Sequence, residues 1–157
     1  MNRTSEGRKL FTVEEANAAL PLIRAIAGDL AKLSREVIER RERLSLLRDG
    51  RPTGRQGVYD EELTQIEEEL EKDRRRLQGF VEELLELGVE PKSGPDGLID
   101  FPAEQDGRLV YLCWKLGEEE VLYWHEIDAG FRGRQPLVAG SLADETSAAS
   151  EDAGAAP

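Results

Sequence analysis

Cysteine, histidine and methionine are almost missing from this 157-residue chain, in which histidine, cysteine and methionine occur once each. A single cysteine excludes an intrachain disulfide and a multi-cysteine zinc site. A single histidine limits any metal site to one imidazole per chain. No apolar run approaches the roughly 18 residues that a membrane helix needs. The start, MNRTSEGRKL, lacks the apolar core of a signal peptide. The expectation is a cytoplasmic protein with no membrane contact. Positive charge is in deficit: 21 Lys+Arg stand against 33 Asp+Glu, a net charge of −12. That argues against nucleic-acid affinity, which depends on neutralising phosphates. There is no Gly-rich phosphate loop, no G-x-S-x-G and no H-E-x-x-H.

Four stretches of different composition follow one another. Residues 1–9 are polar and are expected to be flexible. Residues 10–87 are rich in Glu, Arg and Leu, and read as a helical hairpin. Thr12 followed by Glu15 matches a capping box, in which each side chain satisfies a free N–H at a helix start. Pro21 lacks an N–H and crowds the preceding turn, which predicts a short first helix, Val13–Ala19, and a separate long one from Leu22 to Arg48. Ile23, Ile26, Leu30, Leu33, Val37, Leu44 and Leu47 form a coiled-coil-like seam with a polar gap at Arg40/Arg41. DGRPTGRQG ends it. A second helix is predicted from Asp60 to Leu87, with its own gap at Asp73/Arg74 and a C-terminal stop at Gly88. Lys32–Arg55 is mostly basic and Asp60–Glu71 mostly acidic, so an antiparallel hairpin sets opposite charges face to face. Ile38, Leu46 and Leu85 fall off the seams, which predicts self-association through the helices.

Residues 88–138 hold both tryptophans, the cysteine and the histidine. LIDFPA, RLVYLCWKL and EVLYWHEI are β-prone, and Asp106-Gly107 between the first two is a hairpin signal. Three antiparallel strands in a meander are predicted. With Glu118-Glu119 as a tight turn, Leu112 sits opposite His125 and Tyr111 opposite Glu126. Residues 139–157 are small and acidic; they bury too little to offset the ordering entropy and are expected to be disordered. The fold class is thus α+β, a single domain over residues 10–138.

Chemistry concentrates in the last strand and the turn after it. His125, Arg132, Arg134 and Gln135 form a candidate site for a small anionic ligand. Arginine forks match carboxylate or phosphate, and Gly130 and Gly133 let the backbone come close. His125 with Asp100, Glu126 and Asp128 is a candidate divalent-metal set, since one imidazole with two carboxylates is a recurrent ligand arrangement. The plainer readings are a histidine bonded to a carboxylate, and arginines paired with nearby acids. Trp114, Trp124 and Cys113 read as core.

FTVEEANAALPL, GLIDFPA, VYLCW and YWHEIDAGFRGRQPL together resemble the bacterial domain-of-unknown-function family 2203, over roughly Leu10–Leu137. The resemblance implies one domain with a helical N-terminal part and a compact C-terminal motif region, and carries no catalytic residues. The function expected is a binding or interaction module, dimeric through the hairpin. The alternative is a small metal-dependent enzyme centred on His125.

Overall fold

The computed structural model describes residues 9–49 and 56–137. The expected loose start before Lys9, most of the hairpin connection and the acidic tail lie outside the described residues. The chain forms two long helices, α1 (Val13–Asp49) and α2 (Gln56–Glu86). Five strands follow: β1 (Glu90–Ser93), β2 (Leu98–Gln105), β3 (Arg108–Lys115), β4 (Tyr123–Glu126) and β5 (Gln135–Pro136). The strands pair antiparallel in chain order, and a short 3-10 turn, Phe131–Gly133, precedes β5. Among the described residues, no helix is long and apolar enough to cross a membrane.

Local signals fix the helix ends. The Thr12 N–H donates to Glu15 Oε1 at 3.0 Å and the Glu15 N–H to Thr12 Oγ1 at 3.0 Å, the reciprocal capping box. At the end of α2 the Val89 N–H donates to the Leu84 carbonyl and the Gly88 N–H to that of Leu85. Gly88 has φ 95°, as this helix stop requires.

Pro21 does not divide α1, contrary to the prediction of two helices. It sits on the exposed side of the helix, where its ring meets no packed neighbour element. Leu20 and Ile23 beside it are buried in the core and hold the helix in register. The seam residues Ile23, Ile26, Leu30, Leu33, Val37 and Leu44 are buried. The two polar gaps meet: Arg40 bonds Asp73 across the hairpin. Arg43–Glu62 and Arg48–Glu67 also link α1 to α2, as the opposed charge patterns require.

The sheet has five strands, not three. β1 and β5 escape a pattern search because they are short and carry Pro91 and Pro136. Both lie at sheet edges, where a missing donor is tolerated. β2 and β3 are joined through Asp106 (φ 53°) and Gly107 (φ 79°), the left-handed pair of a type I′ hairpin turn. One sheet face packs on the helices: Ile99, Phe101, Ala103, Val110, Leu112, Trp114 and Trp124 join Ala16, Leu20, Ile23, Ala27, Leu30 and Leu84 in one buried cluster. A smaller cluster of Leu44, Leu63 and Ile66 closes the far end of the hairpin.

The register between β3 and β4 differs from expectation by one residue. Tyr111 lies opposite His125 and Leu112 opposite Trp124. The connection is not a tight turn; it runs from Leu116 to Leu122 and is tied to α1. The Val121 N–H donates to Asn17 Oδ1 at 2.7 Å, and Arg24 donates to the Glu119 carbonyl at 2.9 Å. Because side chains alternate, a slip of one residue moves a whole set to the other face. Cys113, rather than Leu112, thereby shares a face with His125.

Candidate functional site

The sheet face turned away from the helices is polar where the other is apolar. Across it run Glu90, Asp100, Cys113 and Tyr123, in successive register on β1 to β4. Tyr111 and His125 form the adjacent row. Asp100 and His125 are each 2% exposed and Cys113 is fully buried. One donor atom from each of Asp100, Cys113 and His125 lies within 4.8 Å of the others. Theirs is the one such grouping of ligating side chains among the described residues.

Hydrogen bonding fixes the imidazole. His125 Nδ1 lies 2.7 Å from the Glu126 carbonyl and Nε2 lies 3.0 Å from Asp100 Oδ2. A carbonyl only accepts, so Nδ1 carries a proton. The Nε2–Oδ2 contact then needs one more, held either on the ring or on the carboxyl. In both cases the pair is neutral overall. Asp100 Oδ1 is buried and has no hydrogen-bond partner of ordinary geometry; its neighbour is the Cys113 thiol, a weak donor. Burial raises the Asp100 carboxyl above its ordinary value, against the opposing pull of His125. Burial likewise pushes the Cys113 thiol up to about 12, against the pull of Arg134, so this thiol is protonated at neutral pH.

The surroundings complete a network. The Tyr111 hydroxyl donates to Glu90 at 3.0 Å, and Lys92 pairs with Glu90 at 2.9 Å. Arg134 reaches in from the strand β5 side. It pairs with Glu118, lies over the rings of Tyr123 and Phe131, and places Nη1 3.7 Å from Cys113 Sγ.

Of the residues singled out from sequence, Asp100 and His125 are in direct contact. Glu126 points to the other face and holds Arg108 at 2.8 Å. Asp128 is exposed in the turn after β4, Arg132 is exposed in the 3-10 turn, and Gln135 is exposed on β5 opposite Trp124. Arg134 reaches the cluster through Cys113 and is already engaged by Glu118. Cys113, read from sequence as core, joins the site, and Glu90, Tyr111 and Glu118 were assigned no site role; the β3–β4 register is the signal that brings in Cys113 and Tyr111.

A family model described as an uncharacterized conserved protein, DUF2203, matches residues 9–137. The chain belongs to DUF2203. Neither the curated proteins nor the solved structures gave a match. The DUF2203 match spans both helices and all five strands, so the Asp100–Cys113–His125 group lies inside the family's domain.

Proposed function

We propose that this DUF2203 protein is a binding module. Its helices scaffold and assemble, and the polar face of its sheet receives a small ligand at Asp100 and His125. The observation that carries the reading is Asp100 Oδ1: a buried carboxylate oxygen with no hydrogen bond of ordinary geometry and only the weak Cys113 thiol beside it. Such an atom costs about 1–3 kcal/mol when left unsatisfied. A ligand that offers positive charge or a hydrogen-bond donor removes that cost. The anionic-ligand reading of His125, Arg132, Arg134 and Gln135 has less support, because Arg134 is neutralised by Glu118 and His125 is turned toward Asp100. Self-association belongs to the same proposal. It is supported by Ile38, Leu46 and Leu85, which are 43%, 73% and 52% exposed on the helices.

Native mass spectrometry of the full-length protein, purified without chelator, tests both parts. The expected spectrum shows a dimer whose protomers carry a small bound species, and the Asp100→Asn protein loses that species while keeping the dimer. A bare mass, or an adduct indifferent to Asp100→Asn, overturns the ligand reading; a monomer overturns the assembly.

A further inference from the structure

We propose that Asp100, Cys113 and His125 together hold one divalent cation of the zinc class. This rests on the preceding reading of the outer sheet face and names its ligand.

Three observations converge. The donor set is one thiol, one imidazole and one carboxylate, all buried and all within 4.8 Å of each other. Sulfur and nitrogen donors select zinc and its transition-metal neighbours over calcium and magnesium, which prefer oxygen alone. The imidazole is already oriented as a metal ligand: Nδ1 is committed to the Glu126 carbonyl at 2.7 Å and Nε2 faces Asp100 Oδ2 at 3.0 Å. Metal-bound histidines are held in this way by their second nitrogen. Third, Asp100 Oδ1 is buried with no hydrogen bond of ordinary geometry, and the group beside it is the Cys113 thiol, the third proposed donor.

Charge balance selects the valence. Without metal the cluster is neutral: Asp100 and His125 share one proton across Nε2–Oδ2, and Cys113 keeps its own. On binding, both protons leave to solvent. A thiolate, a carboxylate and a neutral imidazole then face a dication, and the buried site is neutral again. A monovalent or trivalent ion leaves an uncompensated charge in a dry interior, which is costly. Arg134 Nη1, 3.7 Å from Sγ, is placed to donate to the thiolate. Glu126 and Asp128, the other carboxylates of the sequence-derived metal set, take no part.

The test uses the full-length chain after chelator treatment, titrated with zinc chloride and separately with cobalt chloride. Expected are one zinc per chain by elemental analysis and a cobalt spectrum with a thiolate-to-metal charge-transfer band. Cys113→Ser abolishes that band with an unchanged circular dichroism spectrum. Asp100→Asn lowers zinc affinity by at least about tenfold; Asp128→Asn binds like the wild type. Absence of saturable zinc or cobalt binding overturns the proposal, as does a cobalt spectrum without the thiolate band or equal losses in Asp100→Asn and Asp128→Asn. A non-metal adduct that Asp100→Asn removes, in a protein that binds no zinc, overturns the metal while leaving the ligand site in place. Loss of both results removes the site altogether.

Discussion

Asp73 in the hairpin and Asp100 in the sheet are both buried carboxylates, 6% and 2% exposed, yet water reaches the partner of only one. The Arg40 side chain is 35% exposed, and Arg76 lies 4.0 Å from Asp73 as a second cation. Asp100 faces a histidine whose side chain is itself 2% exposed, and keeps one oxygen without a partner. The first arrangement suits a register device. It fills two matching gaps in two seams, so that a sliding helix loses the pair. The second is costlier to build and does nothing for register that Ile99, Phe101 and Leu112 on the other face do not already do. The proposed cation gives that buried group a counter-charge.

The largest expected effect comes from breaking the sheet pair. His125→Ala strands a buried carboxylate and opens a cavity, and should cost about 3–5 kcal/mol. Asp100→Asn, whose amide donates to Nε2 of a neutral ring, should cost clearly less. Urea unfolding of chelator-treated protein measures both, and equal costs would erase the distinction between a charge effect and a packing effect. The hairpin pair should respond more weakly. Arg40→Ala should cost about 1–2 kcal/mol, discounted for solvent and for Arg76. The double replacement Arg40→Leu/Asp73→Leu should return to within about 1 kcal/mol of the wild type. A larger loss in the hairpin than in the sheet would invert the comparison.

The smallest effect is in pH dependence. The Asp100 carboxyl is raised in the folded state, so its stabilising contribution is complete below the ordinary carboxylate range and is lost as pH rises through the raised value. The stability advantage of the wild type over Asp100→Asn should therefore shrink as pH rises above the ordinary carboxylate range, by at most about 1.4 kcal/mol per pH unit. Urea midpoints at several pH values, again without metal, read the difference.

Much of this was legible in the residues. Thr12/Glu15, Gly88 and Asp106-Gly107 each act through their own backbone, so local chemistry suffices to read them. The seams and both polar gaps were visible as periodicity, and the pairing of Arg40 with Asp73 follows once the hairpin is antiparallel. Pro21 misled because its cost depends on which side of the helix it occupies, a tertiary fact. β1 and β5 were hidden because two to four residues with a proline carry no periodic signal. At the site, Asp100 and His125 stood out by residue type. Cys113 did not, because its neighbours depend on whether the β3–β4 connection is a tight turn or a longer loop, and that is decided by Asn17 and Arg24 on a helix about a hundred positions away.

The prolines at the two margins of the sheet have a consequence for how the molecule behaves at high concentration. Pro91 and Pro136 each remove a donor from a boundary strand already only four and two residues long. An incoming chain finds too short a ladder there to extend. Growth by strand addition, the route to fibrils, is disfavoured at both edges.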